Sequence, residues 1–454
     1  MKERRESGVE YAVQTAGNDG SKLLIFVPRA AHSHDLLSCH LSVSWPTLCR
    51  NVRSRIHGFW ICRLAGDGSY APEGDYGQPV RRRLSMLCWI LVLTALVGGC
   101  TQASTLTRSP SPAPSRAVDY TAMETAIEDK ISSGSVSLST INAVLVSVGG
   151  ETKLAHYRNG RPEDALHVWS VTKSVVSALI GIAIDEKIIS GLDTTLPELL
   201  PRYQKYLSTE EKSITLRQLM YMTAGFPPDE PLENIHSVFR KRTDPVPMIL
   251  TDGLDLPPGH SFIYSSRGAH LVSAVLREAL VRADPDHPRT VLEYAREKLF
   301  DPLEIDSTGA REERVLLSDP AKDRLTRFDW GTDAAGLHTA CCLLRLRPAD
   351  MIKFGELYLG GGVWHGKQIL PAGWVEQTMT PGELSSQYGL MWWLDIDPHG
   401  HTTWVARGWG GQLIAVVPEH QLVVAIGSVP TNDTDLGGND MWLWANDVIV
   451  PALG

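Results

Sequence analysis

Ser170 and Lys173 stand three residues apart at the head of the stretch HVWSVTKSVVSALIGIAIDEKII, His167 to Ile189. On a helix that spacing puts both side chains on one side, a turn apart. A serine hydroxyl with a lysine amine in reach is a nucleophile with a partner able to take its proton. The lysine lies in a run with almost no polar face, where an amine without a partner is costly. No other lysine of the chain has a serine three residues before it. Two further clusters follow in order. Tyr264-Ser265-Ser266 begins 94 residues after Ser170, and Trp409, within Gly408-Trp409-Gly410-Gly411-Gln412, lies 145 residues after Tyr264.

The elements that must position these groups can be read from periodicity. After Ser170, apolar residues point all round a helix axis, as in a helix buried in a large core. An amphipathic helix is predicted over Tyr120–Ser132. A β-hairpin is predicted from Asn142–Val148 to Lys153–Arg158 through Gly149-Gly150. A helical stretch with polar surface is read from Leu196 to Thr223, ending at Gly225-Phe226-Pro227-Pro228, and residues 227–260 read mostly as loop. Helices are predicted over His270–Arg282, Val291–Phe300 and Ala349–Leu359. Strands follow at Gly389–Leu394, Thr402–Arg407, Gln412–Val417 and Leu422–Ser428, then a closing helix from about Asp440 to Val450. This is an α+β layout in which N- and C-terminal strands can share one antiparallel sheet.

Bulk properties narrow the class. The net charge is −9 over 454 residues. Residues 1–99 hold 12 Lys or Arg against 8 Asp or Glu, which leaves −13 for the remainder. An acidic main body argues against a nucleic-acid partner. Five of seven cysteines lie at or before position 100, so no disulfide framework is expected. Cys341-Cys342 are read as two buried, reduced thiols rather than a vicinal disulfide, given their apolar setting.

Residues 1–79 lack sustained periodicity and read as poorly ordered, a segment that need not belong to the natural protein. His32, His34, Cys39 and His40 fit no zinc spacing, and no metal is expected. Arg81-Arg82-Arg83 followed by the apolar run Leu84–Gly99 reads as a signal peptide. Its end, Leu96-Val97-Gly98-Gly99-Cys100, resembles the bacterial lipobox, which implies cleavage before Cys100 and a lipid on that cysteine. A signal peptide belongs at an N-terminus, so translation is expected to start at Val80. The competing reading of residues 80–99 is an uncleaved membrane anchor. Residues 100–117 are rich in Ser, Thr and Pro and read as a linker. The globular domain is expected over 118–454.

The three clusters in this order resemble those of the serine β-lactamase and D-alanyl-D-alanine peptidase superfamily. The resemblance is nearer to its class C-related branch of carboxylesterases and 6-aminohexanoate-dimer hydrolases, and covers about residues 118–452. It extends to Ser213-Ile214-Thr215-Leu216-Arg217-Gln218-Leu219-Met220, Pro258-Gly259 and Leu299-Phe300-Asp301-Pro302-Leu303. It implies a β-lactamase/transpeptidase-like fold: an antiparallel sheet flanked by helices beside a mainly helical region, with Ser170 between them. It implies an acyl-enzyme on Ser170, with Tyr264 relaying the proton and either Lys173 or Tyr264 as the base. The Ser170 N–H and the strand entered at Gln412 would supply the oxyanion donors, with Gly410 and Gly411 allowing close approach. No cofactor is implied.

Two departures from the class C pattern bear on substrate. Ser266 stands where the second motif usually has asparagine, and Trp409 where the third has lysine. The first removes a bidentate amide partner and the second a counter-charge for a carboxylate. Arg407, two residues before Trp409, is a candidate replacement charge. Trp392-Trp393 alternates across a strand, so one side chain is expected in the pocket and the other in the core. His399 and His401 read as a solvated hairpin tip. The expected function is a cell-envelope serine hydrolase for small esters or amides, anchored to a membrane by lipid and facing the periplasm or exterior. The alternatives are β-lactamase or D-alanyl-D-alanine peptidase activity, and an inactive envelope binding protein on the same scaffold.

Overall fold

The computed structural model describes residues 118–134, 138–229, 243–308, 327–396, 400–429, 441 and 445–453, and the backbone of two strands near the N-terminus. The signal segment, Cys100, the linker, His399 and the cluster His32, His34, Cys39 and His40 lie outside the described residues. The chain divides into two compact units, Met1–Thr105 and Leu106–Gly454. In the first, Tyr11–Thr15 and Lys22–Phe26 pair antiparallel, with Tyr11 opposite Phe26. No element was expected there.

The second unit is built on a six-stranded antiparallel sheet. Its strands are β1 (Ile141–Val148), β2 (Glu151–Tyr157), β3 (Trp393–Ile396), β4 (Thr402–Arg407), β5 (Leu413–Val417) and β6 (Leu422–Ser428), in the order β3-β4-β5-β6-β1-β2. The first and last of these strands in sequence pair directly, with Leu422 opposite Val148 and Val424 opposite Val146. Side-chain alternation decides this register, since a slip of one residue would exchange the two faces. Val144, Val146, Leu413, Ala415, Val424 and Ile426 face a layer made by Met123, Ile127 and Ile131 of helix α1 (Tyr120–Ser133) and by Met441, Ala445 and Ile449. Ala143, Leu145, Ile414, Val416, Val423 and Ala425 face the larger core, which contains helix α2 (Val171–Asp185). The sheet is thus covered by helices on both faces, in an α+β arrangement.

Helix α2 is buried from Val171 through Ala183, as its lack of a polar face requires. Its two buried serines find partners: Ser174 Oγ donates to the Met391 carbonyl at 2.8 Å and Ser177 Oγ to that of Leu390 at 2.7 Å. These bonds pin the helix to the segment leading into β3. Two expectations give way. The stretch Leu196–Thr223 is no single helix but two short ones, Leu196–Leu199 and Leu216–Met220, joined through 3-10 turns at Pro201–Tyr206 and Glu211–Ser213. Pro201 lacks an N–H and clashes with the preceding turn. The Pro-rich region holds a helix, α3 (Pro245–Asp252), with Pro245 in its first turn and Asp244 accepting the Val246 N–H at 3.1 Å.

Deep in the larger core, burial, with Arg296 close by, pushes the His338 imidazole down to about 4. Arg277 acts in the same direction, while Asp333 and Glu293 oppose it. An unfolded histidine titrates near ~6.5. Between those values the unfolded chain binds more protons than the folded one, so stability falls as pH drops from about 6.5 toward 4, by up to about 3 kcal/mol. His338→Gln should flatten the pH dependence of unfolding free energy across that window. A slope unchanged from wild type would contradict this.

Candidate active site

A short strand, Leu166–His167, pairs with Leu344–Leu346 and delivers the chain to Trp169. Trp169 has φ +49°, a left-handed conformation that a bulky residue rarely adopts. The next residue, Ser170, stands at the N-cap position of α2 without a capping side-chain bond, and Val171 begins the helix. Strand, strained turn and helix therefore set Ser170 at the positive end of the helix dipole, partly exposed.

Lys173, one turn on, is 1% exposed. Its Nζ lies 3.0 Å from Ser170 Oγ, 3.0 Å from Ser266 Oγ and 3.2 Å from the Cys341 carbonyl oxygen. It also sits 4.7 Å from the centroid of the Tyr264 ring. The first two sequence clusters therefore meet at one amine. Tyr264 and Ser265 precede helix α4 (Ser266–Ala283), whose N-terminus Ser265 caps by accepting the Gly268 N–H at 3.3 Å. The Tyr264 ring stacks on Trp393 with centroids 5.4 Å apart and meets Tyr388 edge-on at 6.0 Å. Burial, with Tyr264 and Asp229 nearby, holds the Tyr388 phenol well above its ordinary range.

The third cluster closes the other side. Gly408 donates its N–H to the Gln412 carbonyl at 2.8 Å, making a tight turn between β4 and β5. A Cβ on Gly408 would lie 2.6 Å from the Val168 carbonyl oxygen, so only glycine lets the turn approach the segment that leads into Ser170. Gly411 has φ +85°, and Ser428 Oγ bonds the Gly410 carbonyl. Gln412 is buried, with Nε2 donating to the Ser428 carbonyl at 2.9 Å. Trp409 projects from the turn, 36% exposed, with its ring edge-on to Trp169 at 5.3 Å. All three clusters thus converge around Ser170.

The tryptophan pair divides as the alternation requires. Trp392 is fully buried, packed against Phe354 and Tyr358, while Trp393 stacks on Tyr264. Arg407 is ion-paired with Asp395 and lies 5.4 Å from the Trp393 ring centroid. Burial lowers its pKa against the opposing pull of Asp395. His401 contacts His420, with 3.3 Å between ring nitrogens. Among the described residues, no group of three or more His, Cys, Asp or Glu is arranged to hold a metal ion, and no helix is long and apolar enough to cross a membrane.

Three features escaped the sequence. Cys341 and Cys342 form a vicinal disulfide in place of the expected thiols. The turn that brings them together is held by Thr339 Oγ1 donating to the Cys342 carbonyl at 2.5 Å and by Leu343 at φ +68°. The same turn aims the Cys341 carbonyl at Lys173. Asp229, in the Pro-rich loop, binds the Ser266 hydroxyl at 2.8 Å and the Ser266 N–H. The Asp395 partner of Arg407 comes from an adjacent strand, paired in register no local motif announces.

A model of the Beta-lactamase family matches residues 138–435. No curated protein sequence matches the chain. Among solved structures, a candidate 6-aminohexanoate-dimer hydrolase from Bacillus anthracis is 21% identical with a TM-score of 0.52, over 69% of this chain and 79% of its own. A D-stereospecific amidohydrolase from Streptomyces sp. is 19% identical at a TM-score of 0.53, over 72% and 98%. The octameric penicillin-binding protein homologue from Pyrococcus abyssi is 15% identical at 0.54, over 73% and 78%. At these identities the likeness is one of fold.

Proposed function

The chain belongs to the beta-lactamase family of hydrolases, and from that premise we propose a lipid-anchored serine hydrolase of the bacterial envelope, acting on short-chain esters or neutral amides. The observation that carries the chemistry is the Lys173 amine 3.0 Å from Ser170 Oγ at a helix N-terminus, beside Tyr264. Ser170 Oγ attacks the substrate carbonyl carbon as its proton passes to Lys173 or Tyr264. The tetrahedral oxyanion takes hydrogen bonds from the Ser170 N–H and from the backbone at Gln412. The carbon–leaving-group bond breaks, and the leaving alcohol or amine takes the proton. Water then attacks the acyl-enzyme, releasing the acid and restoring Ser170. The names of two similar structures, an amidohydrolase and a dimer hydrolase, support cleavage of amides. Arg81-Arg82-Arg83, the apolar run and Cys100 support the anchor.

One experiment addresses both parts. Membranes of a bacterium expressing the whole chain are treated with a fluorophosphonate probe, and the labelled protein is mapped by mass spectrometry. The expected result is an adduct on Ser170 of a chain that begins at lipid-modified Cys100. Folded protein without a Ser170 adduct would replace the enzyme with a binding protein. A mature chain still carrying residues 1–79 would remove the anchor and the Val80 start.

A further inference from the structure

Asp229 lies on an exposed loop, yet it grips the second catalytic segment at three points. Its N–H donates to the Tyr264 carbonyl at 3.3 Å. Its carboxylate accepts from the Ser266 N–H and, at 2.8 Å, from Ser266 Oγ. It therefore sits at the N-terminus of α4, an 18-residue helix whose dipole favours a negative charge there.

The hydroxyl bond has a consequence one step away. A serine hydroxyl has one proton to donate. Ser266 gives it to Asp229, so toward Lys173, 3.0 Å off, it can only accept. The Cys341 carbonyl, 3.2 Å from the same amine, can also only accept. A neutral lysine amine has two N–H bonds and one lone pair. With two fixed acceptors taking both protons, the lone pair is left pointing at the third neighbour, the Ser170 hydroxyl at 3.0 Å.

We propose that Asp229 is a positioning residue: by fixing Ser266 as an acceptor, it aims the Lys173 lone pair at the Ser170 proton. The inference rests on the reading of Ser170 as nucleophile, and of the two candidate bases it commits to Lys173, acting through its neutral amine. Without the carboxylate, the Ser266 hydroxyl is free to turn and donate to the lysine lone pair, which blocks the proton transfer. Asparagine does not restore the arrangement. With its oxygen on the Ser266 N–H, its NH2 group faces Ser266 Oγ and donates to it, reversing the polarity that aspartate imposes.

The test uses the full chain as wild type, Asp229→Asn, Asp229→Ala, Ser266→Ala and the Asp229→Ala/Ser266→Ala double variant. Readouts are the rate of fluorophosphonate labelling at Ser170, kcat and KM for p-nitrophenyl butyrate, and Tm. Asp229→Asn, nearly isosteric, should keep Tm close to wild type while labelling and kcat fall roughly 10- to 100-fold, a part of the roughly 10²- to 10⁴-fold that a positioned general base contributes, and KM changes little. Asp229→Ala should do the same to the rates. In the Ser266→Ala background, removing Asp229 should cost no further activity, because its effect passes through that hydroxyl. Active wild type with Asp229→Asn retaining more than half its activity, or with fully additive losses in the double variant, overturns the inference alone. Folded but inert wild type overturns the nucleophile reading and this inference with it.

Discussion

Lys173→Met is expected to lower kcat/KM for p-nitrophenyl butyrate about 10³-fold, the middle of the range for a lost general base or proton relay, or about 4 kcal/mol of transition-state stabilisation. Methionine matches the stem of the lysine and suits its apolar surroundings, so the loss should be chemical. Two stability effects oppose each other. The buried amine no longer has to be desolvated, but the Cys341 carbonyl loses a donor, at about 1–3 kcal/mol. Ser266 keeps its bond to Asp229. Tm should therefore move by only a few degrees. Lys173→Arg separates charge from proton transfer, because a guanidinium stays protonated and has no lone pair to offer. It should be as inactive as Lys173→Met. Steady-state kinetics and the rate of fluorophosphonate labelling measure both variants. If Lys173→Arg kept a tenth or more of wild-type activity, the lysine would be acting as a charge, and Tyr264 would be left as the base.

Much of this site was legible because it is written in local patterns. Ser170 and Lys173 are one helical turn apart, and the apolar run after them predicts burial on every side, which α2 shows. The strands read at Thr402–Arg407 and Leu422–Ser428 match those observed, the second as a short apolar run buried on both faces. The element order also let N- and C-terminal strands share one sheet; the direct pairing of Leu422–Ser428 with Ile141–Val148 appears only in the structure. What stayed hidden depends on distant partners. Asp229 is one carboxylate in a Pro-rich loop, 37 residues from the serine it holds, with no spacing that singles it out. The fate of Cys341 and Cys342 is decided by a turn that Thr339 and Leu343 stabilise, whereas the apolar setting and the adjacency of the pair argued for thiols. The break in Leu196–Thr223 falls at Pro201, which opens a 3-10 turn, while Pro197 is compatible with the first turn of the short helix before it.

The substrate preference should be large, with kcat/KM for p-nitrophenyl butyrate roughly 10- to 100-fold above that for nitrocefin. Cephalosporins carry a carboxylate beside the scissile bond, and a lysine in the third motif would give it a charge-assisted hydrogen bond of roughly 1.5–3 kcal/mol. Trp409 offers an indole edge and apolar surface, held against Trp169. Losing that contact in the transition state corresponds to roughly 10- to 100-fold. Arg407, two residues before Trp409, is the candidate replacement cation, and its charge is already committed. It is paired with Asp395 and lies over the Trp393 ring, which in turn stacks on Tyr264. A paired Arg–Asp unit presents little net charge to a ligand, and prying it open exposes a part-buried carboxylate. A small activated ester needs no such handle: the helix N-terminus and Ser170 suffice for a good leaving group. Two variants make the argument quantitative. Trp409→Lys should raise nitrocefin turnover roughly 10- to 100-fold relative to the ester, by restoring the missing bond. Asp395→Asn, which releases Arg407, should shift the ratio in the same direction by a smaller factor. The reasoning fails if wild type turns over nitrocefin as well as the ester and Arg407→Ala abolishes that activity, because Arg407 would then be the carboxylate partner despite Asp395.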